Sequence, residues 1–339
     1  MKKVLCVGSA TIDILVRSND FRVMKSHQVS GGVALCEVYG GKTEADEMVM
    51  DTGGSATNVA VGLSRLGLTP AVITRVGSDW MKERIIDNLK LEGVDISQIQ
   101  EDDKTATALS VVLVAVDGGR SIITSRGAAA KIDSKKIDWE KVGSADWLQV
   151  GPLGGNLSLV EDLVAFARSK KIRVGWNPGK IELTQKERIF RLLPKIDLFI
   201  VNRMEASQLL RHNYEEMKEM AKKILDQGAR VVTITDGRRG AGAATPQAAQ
   251  AGGQATPGRW IFAPAFKMKS VDDTGAGDAF VAGMVAGLVS GKGVEVALRM
   301  GLANGASEVT AIGAKSGLLR RREMNKWLLR RVKMVEERV

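Results

Sequence analysis

Asp272-Asp273-Thr274-Gly275-Ala276-Gly277-Asp278-Ala279-Phe280 is the stretch on which the reading of this 339-residue chain turns. Two carboxylates precede a Gly-Ala-Gly turn, a third ends it, and an apolar run to Val289 reads as a buried helix. The turn is then a helix N-terminus, where unpaired backbone N–H groups and the positive end of the helix dipole favour an anion. Gly275 and Gly277 let the backbone approach that anion closely. A carboxylate at the mouth of an anion hole is badly placed to meet phosphate. Asp278 makes sense there if it takes the proton from a hydroxyl that attacks a phosphoryl group. Taken alone, the stretch reads equally as a capped helix start, since Asp and Gly are ordinary capping and turn residues.

Working outward, β-branched runs (Val4–Val7, Ala71–Val76, Ser110–Val116, Trp147–Val150, Ile172–Gly175, Leu198–Val201, Val231–Thr235) alternate with amphipathic segments (Ala56–Leu66, Trp80–Leu91, Leu157–Ser169, Glu187–Leu193, Met204–Leu210, Glu215–Gln227, Ala279–Val289). This alternation predicts an α/β fold in three layers, a mainly parallel sheet with helices on both faces. Arg17–Thr52 breaks the rhythm with Gly31-Gly32 and Gly40-Gly41. It predicts small strands forming a β lid, joined by a hairpin at Gly118-Gly119. The predicted division is a core of residues 1–16 and 53–319, a lid of 17–52 plus about 105–126, and a basic C-terminal helix over 320–339. Gly240–Gly258, rich in Ala, Gly and Gln, reads as a surface loop or weak hairpin.

Composition excludes several classes. An apolar content of 44% and a charged content of 26% suit a soluble globular chain. The longest helical apolar run is too short for a bilayer, and Lys2-Lys3 leads directly into Val4-Leu5-Cys6-Val7 without a signal-peptide pattern. Two cysteines, Cys6 and Cys36, make no disulfide framework, so a cytoplasmic location is expected. His27 and His212 stand apart, against a His-based triad or zinc site. The net charge of +10 is concentrated at the end, where Lys315 to Val339 holds nine basic and three acidic residues. Met324, Trp327, Leu328 and Val332 recur there at helical spacing, so the tail predicts a docked amphipathic helix with a solvated basic face. Nucleic-acid binding rests on that charge alone.

Gly41-Lys42-Thr43 ends like a phosphate-binding loop, but Cys36 stands where the opening glycine is needed. The first strand runs into Gly8-Ser9-Ala10-Thr11-Ile12-Asp13, with no dinucleotide fingerprint. Asp13 falls at the carboxyl edge of the sheet, where it suits a pair of sugar hydroxyls or simply a turn. Gly53-Gly54-Ser55-Ala56-Thr57-Asn58 opens a helix. Its glycines permit a ligand close to the backbone, and Asn58 offers donor and acceptor to a hydroxyl-rich substrate or to solvent. Asn202 and Glu205, three apart at a helix start, suit a hydrated Mg²⁺ or a reciprocal cap. Thr235-Asp236-Gly237-Arg238-Arg239-Gly240 follows another central strand and permits backbone contact with a nucleotide.

With these residues assembled, the chain resembles the ribokinase, or PfkB carbohydrate kinase, family from about Lys3 to about Leu319. Gly53-Gly54-Ser55-Ala56-Thr57-Asn58 with Gly67 and Gly77 is similar to the family's N-terminal signature. Asp273 to Phe280 is similar to the C-terminal one. The resemblance implies ATP-dependent phosphorylation of a sugar hydroxyl, with Asp278 as base and the N–H groups of Gly275, Ala276 and Gly277 stabilising the transferred group. It implies Asp13, Gly53, Gly54 and Asn58 as substrate residues, and Thr235, Gly237, Gly240 and Asn304 around the nucleotide. Asn202 and Glu205 would govern Mg²⁺ through water, and Asp272 would help bind a monovalent cation such as K⁺. The lid would make a homodimer contact. Leu153 stands where ribokinases carry an acidic substrate residue, so ribose is not singled out. A nucleoside kinase, a sugar-phosphate kinase drawing on Arg120, Arg126 and Lys42, and a non-catalytic sugar-binding relative remain alternatives.

Overall fold

The protein is represented by a computed structural model that describes residues 1–25, 33–116, 119–211, 216–246, 248–249, 255–256 and 258–339. His27, His212 and the Gly118 half of the hairpin turn lie outside the described residues.

Ten strands form the central sheet. In spatial order they are Asp95–Asp102, Thr69–Gly77, Lys3–Val7, Trp147–Val150, Arg173–Trp176, Leu198–Asn202, Val232–Thr235, Ala241–Thr245, Arg259–Ala263 and Val335–Arg338. Neighbours from Asp95–Asp102 through Val232–Thr235 pair in parallel, and the remaining three strands extend the sheet antiparallel. Apart from the polar edge strand Asp95–Asp102, the parallel strands are largely apolar runs, as expected where helices cover both faces of the sheet. One core cluster holds the Ser55–Arg65, Ala276–Val289 and Val294–Glu308 helices, and the other holds Leu157–Ser169 and Met217–Leu225. The fold is the three-layer α/β/α arrangement expected from the alternation.

A second sheet of four strands stands off this body. Thr11–Arg17 pairs antiparallel with Glu47–Gly53 and in parallel with Ala108–Val114, and Ala108–Val114 pairs antiparallel with Arg120–Ser125. This lid begins earlier than the predicted boundary. Asp13 is not in a loop after the first strand but inside a lid strand, opposite Asp51 on one side and Ser110 on the other.

Two further expectations are corrected. The Gly240–Gly258 stretch begins with a buried sheet strand, Ala241–Thr245, where a surface loop was expected, while its weak-hairpin reading agrees with the antiparallel pairing of Ala248–Ala249 with Ala255–Thr256. Its small residues have little strand propensity, but they are needed. A Cβ on Gly242 would lie 2.0 Å from the Trp260 ring that crosses it from the next strand. The tail is not one helix over 320–339. A helix spans Arg321–Leu328, and Val335–Arg338 then adds an edge strand to Arg259–Ala263. Arg259 pairs with Glu336, and Lys218 with Glu337 at 2.7 Å, so part of the tail's charge is paired along this edge.

Candidate active site

The deciding turn is a helix start, as its glycines require. Gly275 is the N-cap of Ala276–Val289, with φ of 78°, a left-handed conformation that glycine adopts without strain. A Cβ there would also lie 2.6 Å from the Ala314 carbonyl oxygen. Gly277 faces open space, with nothing within 4 Å of where its Cβ would be. Asp278 follows in the first helical turn. Its side chain is half-buried, and desolvation pushes the carboxyl up to about 6, against the lowering pull of the Asn58 hydrogen bond and the Lys315 charge. The helix dipole puts its positive end at this turn, and the Asp278 carboxyl meets a second set of polar groups.

Those groups come from the lid strands and the first helix. Asn58 Nδ2 donates to Asp278 Oδ2 at 2.8 Å. Asn58 is therefore tied to Asp278, not left free on the helix face. Thr11 Oγ1 donates to Asp13 Oδ1 at 3.0 Å, and burial raises the Asp13 carboxyl while Thr11, Ser110 and Lys315 restrain it. Gly53 is glycine because Asp13 lies against it: a Cβ would fall 1.8 Å from Asp13 Oδ2. Asp13, Gly53, Gly54, Asn58 and Asp278 thus gather where the lid meets the body.

On the other side of the turn lies a cavity of about 410 Å³. Thr235, Gly237 and Gly240 line it together with Ala276 and Gly277, and Phe266, Met268, Leu302 and Val309 give it apolar walls. Three of the four expected nucleotide residues share one cavity with Ala276 and Gly277 of the helix-start turn. Asn304 does not join them. It is fully buried, with Nδ2 donating to the Ala279 carbonyl at 2.7 Å and Oδ1 accepting from the Leu319 N–H at 2.9 Å. Its amide braces two helices from beneath the cavity and is not presented to a ligand.

Asn202 and Glu205 form the reciprocal cap of Arg203–Leu210: Asn202 Oδ1 accepts from the Glu205 N–H at 2.9 Å, and Glu205 Oε2 accepts from the Asn202 N–H at 2.8 Å. Burial raises the Glu205 carboxyl above its usual range. Among the described residues no group of three His, Cys, Asp or Glu side chains is arranged to hold a metal. Asp272 is likewise engaged. Its oxygens accept from the Thr274 N–H (2.9 Å), Thr274 Oγ1 (2.7 Å) and the Gly313 N–H (3.0 Å), and Arg120 from the lid approaches at 3.4 Å.

One functional residue was missed. Lys315, which the sequence places at the start of the basic tail, is 3% exposed and points into the site. It donates to the Thr52 carbonyl and to Asn58 Oδ1, the latter at 3.2 Å. Burial pulls its ammonium down to about 8, against the opposing effect of Asp51, Asp13, Asp278 and Glu308. No local pattern marks it out: it is one of 49 basic residues, and only the return of the chain past the Val294–Glu308 helix brings it here.

A layered body with a β lid, and between them a half-buried carboxyl at a helix start whose first residues, Ala276 and Gly277, border an apolar cavity, fit a small-molecule kinase of ribokinase-like fold. The family description "pfkB family carbohydrate kinase" matches residues 1–321, and the chain belongs to that family of ATP-dependent carbohydrate kinases. It is 27% identical to the ribokinase of Haemophilus influenzae, over 81% of this chain and 87% of that protein. It is 28% identical to an ATP-dependent ribose-1-phosphate kinase of Halopiger xanaduensis, over 78% of this chain and 82% of that one. The structure of Arabidopsis thaliana ribokinase complexed with ribose and ATP superposes with a TM-score of 0.76 at 23% identity, covering 97% of this chain and 99% of that one.

Proposed function

We propose that this kinase transfers the γ-phosphoryl group of ATP to a hydroxyl of a free sugar, with Asp278 as general base. The observation that carries this reading is the position of Asp278. Its carboxyl is held by Asn58 on the lid side, while Ala276 and Gly277 of the same helix turn line the cavity on the other. The base and the anion hole are thus adjacent, facing opposite ends of a transfer path. A carboxyl poised near 6 is ionised at neutral pH and still basic enough to accept a proton as the hydroxyl attacks. The N–H groups at Gly275, Ala276 and Gly277 would stabilise charge on the transferred group. Asp13 would accept hydrogen bonds from sugar hydroxyls, and Thr235, Gly237 and Gly240 would contact the nucleotide.

When bound, Mg²⁺ would supply positive charge that offsets the phosphates. The residues present do not form a protein cage for it. They fit a hydrated ion reached through water by Glu205, whose Oε2 caps the helix. Apolar side chains exposed on the lid (Met48, Ile122, Ile123) and on the antiparallel pair of strands Arg22–Lys25 and Val33–Cys36 (Met24, Val33) support a homodimer through the lid. A light-scattering mass equal to one chain would remove the dimer.

The test is ADP release over pentoses, hexoses, sugar phosphates and nucleosides, with Asp278→Asn in parallel. We expect turnover with a sugar and a loss of at least ~100-fold in the variant. Near-normal kcat in Asp278→Asn would sink the base assignment. Preference for a nucleoside or a sugar phosphate would replace the free-sugar reading, and release with none of them would favour a non-catalytic relative.

A further inference from the structure

The Lys315 side chain is the one buried cation at the meeting point of lid and body among the groups described above. Five elements place charge around it: Asp51 from Glu47–Gly53, Asp13 from Thr11–Arg17, Asp278 from Ala276–Val289, Glu308 from Val294–Glu308, and Arg65 from Ser55–Arg65. Arg65 is engaged elsewhere. It is bidentate to Glu92, at 3.1 Å and 2.5 Å, and its Nη1 donates to the Lys315 carbonyl at 2.6 Å. That bond fixes the backbone from which the Lys315 side chain reaches inward.

An ammonium has donors only. Where it meets Asn58 at 3.2 Å, the amide atom must be the oxygen, so the amide nitrogen is turned to Asp278. We propose that Lys315 is a positioning residue for phosphoryl transfer: it locks the Asn58 amide with Nδ2 toward Asp278 and sets a positive charge beside that carboxyl. This rests on Asp278 acting as the base. The ammonium lowers the proton affinity of Asp278 against the opposing effects of burial and Asp13. Without it the amide is free to rotate, and the carboxyl takes up its proton at higher pH.

The experiment is kcat/KM against pH for wild type, Lys315→Met and Lys315→Gln, with thermal melting of each and Asp278→Asn as a separate arm. Loss of the charge should move the acidic limb upward by about one pH unit in both Lys315 variants. Lys315→Met should also lower the plateau kcat about tenfold or more. Lys315→Gln, whose amide can still donate to Asn58, should recover part of that loss without restoring the limb. If Lys315→Met does not fold, the limb of Lys315→Gln decides. An unmoved limb in the folded variants, or equal losses of kcat that only follow melting temperature, overturns the proposal. Inactive Asp278→Asn with an unmoved limb defeats the Lys315 role alone. Active Asp278→Asn defeats the base reading beneath it.

Discussion

Burial of the Asp278 carboxyl has a thermodynamic signature as well as a chemical one. The group titrates at about 6 in the fold, against 3.8 for the free side chain. The folded state therefore holds its proton more tightly. No penalty exists below about pH 4; stability falls as pH rises from 4 to 6, and above that the ionised carboxylate costs about 3 kcal/mol. Asp278→Asn should melt about 4 °C above wild type at pH 8 and no higher at pH 4. Equal melting at both values would mean that the carboxyl is not desolvated. The wild-type kcat/KM should rise about tenfold per pH unit below 6 and level off above 7; a flat profile would exclude a titrating base. Glycines give a second test. Gly53→Ala should displace Asp13 and raise the sugar KM at least ~10-fold, since its Cβ would meet Asp13 Oδ2. Gly277→Ala has room and should fold as wild type, yet lose turnover because the methyl stands where the phosphoryl group must approach. A normal kcat there would move the anion hole elsewhere.

At the scale of elements, the Arg321–Leu328 helix packs behind one wall of the cavity. Trp327 is 8% exposed and packs edge-on against Phe266, with ring centroids 5.1 Å apart, while Arg330 stacks on its other face. Phe266 is a wall of the cavity. Trp327→Ala should lower stability by about 3 kcal/mol and raise the KM for ATP more than that for sugar. Unchanged denaturant midpoints would mean that the helix is not part of the core. The sequence carried this helix through its apolar spacing, but not the strand after it. Met334-Val335-Glu336-Glu337-Arg338 has no apolar alternation; it becomes a strand by pairing with Arg259–Ala263. Ala241–Thr245 was hidden for the reverse reason, since its composition suits a loop until Trp260 requires small neighbours. The two glycine-rich signatures were legible because a left-handed backbone at Gly275 and the close approach of Asp13 to Gly53 leave no room for another residue type. Asn304 and Lys315 were not, because an isolated amide or ammonium takes its role from what the tertiary fold sets against it.

For the whole molecule, the parallel order was readable from continuous apolar strands, whereas the lid boundary depended on pairing across long separations. Asp272, with its oxygens already met by Thr274, Gly313 and Arg120, has consequences for ion dependence. Replacing K⁺ by tetramethylammonium should change kcat less than about twofold, given the donors in place. A larger loss would restore Asp272 to a cation site. Asp13 belongs to the lid and Asp278 to the body. Under the proposed roles, with Asp13 holding the sugar and Asp278 as its base, acceptor and base are mounted on separate sheets, and the sugar would travel with whatever motion brought those parts together. Such a mounting imposes a timetable: the passenger boards before the nucleotide becomes reactive. We expect ordered kinetics, with a non-hydrolysable ATP analogue inhibiting uncompetitively against the sugar; a noncompetitive pattern would mean that either partner can arrive first.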